Sequence, residues 1–183
     1  KEGFPNEMDW TDPFVPACTL AVDLKMDGEP AAYEKSVNFE NGLTAVSFKV
    51  GGCKIERELF VSRADRIAVM RIRSSEPASY EIRLEKFTEI DGPNRWWEEH
   101  YDRNIDTPKI SVKGDTILYD GIFKTVDYGY RCAAKVAKTD GCLSETGNGI
   151  LVEGAVETVL YFNVVMCDCI KEPEVSAEAA FNG

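Results

Sequence analysis

Side-chain alternation with a period of two recurs along almost the whole chain and constrains its fold more than any other feature. Leu20, Val22 and Leu24 alternate with Ala21 and Asp23, and Val46, Phe48 and Val50 with Ser47 and Lys49. Tyr80, Ile82 and Leu84 alternate with Glu81 and Arg83, and Tyr130, Cys132, Ala134 and Val136 with Arg131, Ala133 and Lys135. Successive side chains of an extended strand point to opposite faces, so each set reads as a strand with one face buried. Turn residues separate the runs. Asn41-Gly42 lies between Val37–Phe39 and Thr44–Val50 and predicts a hairpin with positive φ at both central positions. Gly51-Gly52 joins the next pair, and Asp27-Gly28, Gly114-Asp115, Asp120-Gly121 and Asp140-Gly141 mark further boundaries. Gly147-Asn148-Gly149 reads as a tight turn into a strand at Ile150. About ten to twelve short strands fit, the spacing of an all-β sandwich or barrel.

Two runs, Ile67–Met70 and Val159–Phe162, are apolar on both faces, which predicts strands covered on both sides by a second sheet or another domain. Helical periodicity is sparse. The tail from Glu174 to Phe181, rich in Ala and Glu and placed just after Pro173, is the one segment read as a short C-terminal helix. A length of 183 residues fits one domain. Residues 1–171 are assigned to the sandwich and 172–183 to a tail or the start of a linker helix. The hydrophobic share of 44% and charged share of 29% are those of a globular chain rather than a disordered one. A net charge of −11 opposes nucleic-acid binding. The longest apolar run, Val159 to Cys167, is broken by Asn163 and far below the ~20 residues that span a bilayer. Starting at Lys1 without a basic and apolar leader, the chain reads as a processed protein or an excised fragment.

Six cysteines, Cys18, Cys53, Cys132, Cys142, Cys167 and Cys169, lack the paired C-x-x-C spacing of zinc sites. They read as free thiols, many of them buried, which favours the reducing cytoplasm over secretion. No cofactor or metal motif is present: no G-x-S-x-G elbow, no EF-hand loop and a single histidine, His100.

The segment between the strands ending near Phe87 and starting near Ile110 carries the chemistry. Residues 88–108 read as a long loop, and loops of that length in compact domains are often functional. It holds Asp91 to Arg103 (DGPNRWWEEHYDR), with two of the three tryptophans and the histidine. Trp96, Trp97, Glu98, Glu99, His100 and Tyr101 are therefore candidate contacts to carbohydrate or to a neighbouring domain. Aromatic rings stack on the C–H faces of sugars and carboxylates accept hydroxyl hydrogen bonds. Glu98, Glu99 and Asp102 supply carboxylates, but a glycosidase also needs a defined separation between two of them. The same tryptophans serve equally as packing anchors.

Three segments resemble the N-terminal domain of family 95 glycoside hydrolases, the α-L-fucosidase-type enzymes. Pro16–Leu24 (PACTLAVDL) followed by Tyr33–Phe39 (YEKSVNF) resembles P-x-x-x-L-x-L and Y-x-R-x-L-D-L. Ala45–Ser62 (AVSFKVGGCKIERELFVS) is similar to a hairpin ending R-E-x-F-x-S, with Arg66–Ile72 (RIAVMRI) after it. Gly149–Ala155 with Thr158–Tyr161 resembles L-x-V-x-G-A-x-x-V-T-L-Y. The resemblance implies a large supersandwich that precedes a catalytic (α/α)6 barrel, with the catalytic residues on the barrel and none on this chain. The family's opening segments are missing upstream, and the chain stops where its linker helix begins. Three readings follow: a non-catalytic domain supporting a catalytic barrel of the same polypeptide, a stand-alone carbohydrate-binding module using residues 88–108, or a protein-interaction domain without sugar binding.

Overall fold

A computed structural model describes residues 16–88, 96–126, 128–167 and 181, with the side chains of 96–98, 100 and 167 left aside. The expected tail helix falls almost wholly outside the described residues. Ten strands and one helix follow in the order β1 (Thr19–Leu24), β2 (Ala31–Asn38), β3 (Leu43–Val50), β4 (Cys53–Ser62), β5 (Ile67–Glu85), α1 (Trp96–Asn104), β6 (Lys109–Lys113), β7 (Thr116–Ile122), β8 (Gly129–Thr139), β9 (Cys142–Glu145) and β10 (Gly149–Cys167). Every described strand pairing is antiparallel, as the alternation predicts for a β-sandwich.

Two strands of 19 residues organise the body. Their first and second halves serve different layers. The larger layer runs β2-β3-β4-β5-β10-β8-β7-β6. In it β5 pairs β4 from Ile67 to Ser74, and β10 pairs β8 from Thr158 to Cys167. The smaller layer forms where β5 meets β1, from Tyr80 to Glu85, and where the start of β10 meets β9. Each crossing has a local cause. In β5, Pro77 lacks the N–H that a ladder needs, and it sits between the two pairings. In β10 the register against β5 shifts between Val152, Ala155 and Glu157, and Gly154 there takes φ +67°. Asp140 fixes this bulge, its Oδ1 accepting the N–H groups of Val156 and Glu157 at 2.9 and 3.0 Å.

The core lies between the layers. Tyr80, Ile82, Leu84, Ile150 and Val152 of the smaller layer pack in one cluster with Ile55, Ile72, Ile117, Tyr119, Cys132 and Leu160 of the larger. Burying such apolar surface, at ~25 cal/mol per Å², drives the two layers together. Arg57 stands on the inner face between Ile55 and Leu59, as its alternation predicts. It lies 5.6 Å from the Phe48 ring centroid and donates to the Val22 carbonyl at 3.2 Å. Desolvation holds its pKa below the ordinary arginine value. The opposite face carries Glu56, Glu58, Arg71, Arg73 and Glu157 in ion pairs across neighbouring strands.

Of two turns, Gly51-Gly52 follows the expectation and Asn41-Gly42 differs from it in an instructive way. Gly51 and Gly52 form a two-residue hairpin with φ +57° and +90°, a combination that glycine adopts without Cβ clash. At Asn41-Gly42, Gly42 has the positive φ of +70° while Asn41 does not. The closing pair is Asn38 with Leu43, so four residues make this loop. Asn41 contributes its side chain instead, with Oδ1 accepting the Leu43 N–H at 3.0 Å.

Candidate functional site

The segment read as a loop contains a helix. Trp96 to Asn104 form α1, which corrects the assignment of 88–108 as irregular. The local signal is short but present. Tyr101 and Ile105, four residues apart, are both buried, acidic residues open the helix, and Arg103 lies in its last turn. A nine-residue helix is marginal alone, so its anchoring to the sandwich is what holds it.

That anchoring runs through Tyr101, which is 1% exposed. Its hydroxyl meets the Tyr119 hydroxyl at 2.5 Å and the Tyr130 hydroxyl at 3.0 Å, both on the inner face of β7 and β8. Tyr130 in turn donates to the Ala17 carbonyl at 2.7 Å, tying the approach to β1 into the same knot. Desolvation raises the pKa of all three phenols, so they stay neutral hydrogen-bonding groups. Gly121 leaves the space: a Cβ there would lie 2.3 Å from Cζ of Tyr130.

Around the helix lies an open depression of about 390 Å³ lined by Lys86, Tyr101, Asp102, Asp106 and Lys124. Lys86 pairs with the Asp102 carboxylate and stands 5.4 Å from the Tyr101 ring centroid. Lys124 donates to the Asp102 carbonyl at 2.5 Å, which suits the negative end of a helix dipole. These lysines fasten α1 to the sheet. A second depression of about 480 Å³ crosses the outer face of β2, β3 and β4, lined by small residues such as Ser36, Ala45 and Ser47 between charged neighbours.

Of the candidate contact residues, Glu99 is exposed on α1 and Tyr101 is turned into the core. The backbones of Trp96, Trp97, Glu98 and His100 lie on α1, and their side chains are outside the described residues. The tyrosine knot was not among the sequence candidates. Tyr119 and Tyr130 each sit at an inner position of an alternating strand, where a phenol reads as an ordinary core residue.

The four described thiols, Cys18, Cys53, Cys132 and Cys142, are free. Cys53 and Cys132 are buried, Cys18 is half-buried and Cys142 is exposed. No group of three or more metal-ligating side chains occurs among the described residues.

Comparison with known proteins places this architecture. No curated protein matches the chain. A solved structure described as "Putative kojibiose phosphorylase from human microbiome" superposes with a TM-score of 0.59 at 8% identity. The match covers 91% of this chain and 25% of that one, so the chain spans about a quarter of the related structure. At that identity the likeness concerns the fold alone. The profile described as "Glycosyl hydrolase family 65, N-terminal domain" matches residues 4–165. This bears out the resemblance at the level of a glycoside hydrolase N-terminal domain and points to family 65 rather than family 95; the three segments that carried it are strand and hairpin motifs, which report a sandwich rather than a particular family. With nearly the whole sandwich inside the matched span, the chain belongs to the family of glycosyl hydrolase family 65 N-terminal domains.

Proposed function

We propose that this chain is a non-catalytic sandwich domain that packs against and supports a catalytic (α/α)6 barrel of the same polypeptide. The match to an N-terminal domain family carries this reading. A related solved chain about four times as long as the matched portion supports it.

A physical feature of the sandwich also supports it. The smaller layer and α1 cover only part of the larger layer's inner face. Beyond them, Tyr33, Val37, Leu59, Val61, Val164 and Met166 remain exposed, Val61 at 69% and Met166 at 63%. Register places the last five on one face: Val37 faces Thr44, Thr44 faces Leu59, Val61 faces Ala68, Ala68 faces Phe162, and Val164 faces Cys132. Contiguous apolar surface of this kind marks an interaction site. The candidate contacts on α1, Trp96, Trp97, Glu98, Glu99 and His100, would then lie at a domain boundary or reach a bound sugar, with Tyr101 as the helix's anchor.

Sequencing the gene through both flanks of this segment is the direct test. A continuous reading frame encoding a barrel-sized helical region downstream is expected, and an immediate in-frame stop overturns the reading. The purified 183-residue chain should neither hydrolyse nor phosphorolyse α-linked disaccharides. Turnover that persists through repurification and disappears with a carboxylate substitution on this chain would contradict a purely supporting role.

A further inference from the structure

One end of the larger layer carries a row of apolar side chains that the described elements leave exposed, and register brings them level. Thr44 pairs with Leu59, so Val61, two residues further along β4, lies level with the loop of the β2–β3 hairpin. Val61 pairs with Ala68, and Ala68 with Phe162. Beyond Phe162, β10 runs past the start of β5, with Val164 opposite Cys132 and Met166 opposite Tyr130. Tyr128 comes directly before β8, whose first residue, Gly129, pairs with Cys167. From the hairpin across to β8 this end therefore presents Phe39, Val61, Val164, Met166 and Tyr128, all exposed. Phe39 is the extreme case at 93% exposure, yet its loop is fixed. The Gly42 N–H donates to the Asn38 carbonyl at 2.8 Å, and the Glu40 N–H to Asn38 Oδ1 at 2.9 Å. The Leu43 N–H donates to Asn41 Oδ1 at 3.0 Å. These bonds hold the tip in one shape without burying the ring. A large aromatic on a preordered loop loses little conformational freedom on binding, which is the make-up of an interface anchor.

We infer that this end of the larger layer, with Phe39 as its anchor, is where the catalytic barrel of the same polypeptide docks, the Phe39 ring entering an apolar recess on the barrel. The supporting role proposed above is the premise. The position of the strand ends selects this partner over others. β10 ends at Cys167, next to Met166 and level with the exposed row. A domain that follows β10 in the polypeptide is tethered at that point, so its effective concentration is highest against the surface beside the tether. The related solved chain leaves room for such a domain, since the match to this chain covers 25% of it. Phe39 itself, wet as it is, contributes almost no packing to the sandwich.

Photocrosslinking and limited proteolysis of the native polypeptide test the anchor. With p-benzoylphenylalanine at position 39, an intramolecular crosslink to a peptide of the barrel is expected. The same group in place of Leu143, exposed on β9 in the smaller layer, should give none. Phe39→Ser should speed cleavage between the two domains about tenfold, the scale of losing one aromatic anchor, and Leu143→Ser should not. In the isolated chain Phe39→Ser should leave Tm within about 2 °C of the wild type. Absence of the crosslink or of the faster cleavage, in a polypeptide that holds a barrel, overturns the anchor and leaves the supporting role standing. So does an equal crosslink from position 143. A reading frame without a downstream domain overturns both. A crosslink from position 39 to a second copy of the polypeptide, with a dimer that dissociates on Phe39→Ser, rejects the barrel in favour of self-association. A larger fall in the Tm of the isolated chain assigns Phe39 to the sandwich's own packing and also rejects the anchor.

Discussion

Three phenolic hydroxyls that meet inside the sandwich tie together α1, β7, β8 and the approach to β1. Tyr101→Phe removes the hydroxyl at their centre and leaves Tyr119 without that partner. A loss of about 1–3 kcal/mol in urea unfolding is expected, with the strand signature of the circular dichroism unchanged. Gly121→Ala acts on the same knot by steric force, since the added Cβ meets the Tyr130 ring rather than open space. It should cost at least as much, at roughly 1–3 kcal/mol, and fluorescence-monitored unfolding would read it. The phenols also set an alkaline limit. Desolvation pushes Tyr80 up to about 12 and raises Tyr101, Tyr119 and Tyr130 as well. With native values above the unfolded value of about 10, their contribution is complete below that pH and is lost as pH climbs through the native values. Phenolate absorbance of these four should therefore rise together with loss of strand signal. Ionisation near the ordinary value in an intact sandwich would contradict the knot. A tyrosine on a strand's inner face is legible from sequence as buried, but its hydroxyl partner is not, because Tyr101 reaches β7 and β8 from another element.

At the scale of elements, β3 and β4 show local chemistry deciding structure. The Gly51-Gly52 turn predicts itself, and replacing either glycine by Ala should cost about 1 kcal/mol in chemical denaturation, because each holds a positive φ with or without nearby space. The bulge in β10 shows a side chain stabilising an irregular element. The backbone N–H groups of Glu157 and Val156 hold the Asp140 carboxyl below the usual carboxylate range. Because the folded value is depressed, the stabilisation is present above the unfolded value of about 4 and fades as pH falls through the native one. Asp140→Asn keeps an acceptor but cannot ionise, so its stability should change less with pH on the acid side than that of the wild type. A parallel acid profile for the two proteins would rule out this role. α1 was hidden because nine residues with two tryptophans and no run of strong helix formers carry little intrinsic helicity. Its burial of Tyr101 and Ile105 against the sandwich, with Lys86 and Lys124 bonded at its end, is what stabilises it.

For the whole molecule, the decisive feature is that the two layers differ in size. A ten-stranded body in which β1, β9 and half of each long strand cover the larger layer leaves apolar residues at one end of its inner face. Val61→Lys combined with Met166→Lys should alter the isolated chain's stability by less than about 1 kcal/mol, since both side chains are mostly exposed. The same pair should reduce binding of a hydrophobic dye and, in a polypeptide that contains the catalytic barrel, loosen the domains to limited proteolysis. Unchanged proteolysis would place the docking face elsewhere. The expected strands apolar on both faces lie in this region. Ile67 is buried, while Ala68, Val69 and Met70 are half-covered, so the alternation there is weak because the strand's surroundings are uneven.

Alternation and turn glycines were enough to determine an all-β body, most of its strands and the inward side of each, because those features act within a few residues. Which layer each half of β5 and β10 would join was decided only by tertiary structure, since β1 and β10 both meet β5 across more than fifty residues of chain. The same holds for the burial of Tyr101 and the seat of Arg57 over Phe48. Family membership also lay beyond the motifs. Strand patterns record what any packed sheet requires, and many lineages satisfy that physical requirement with similar residues.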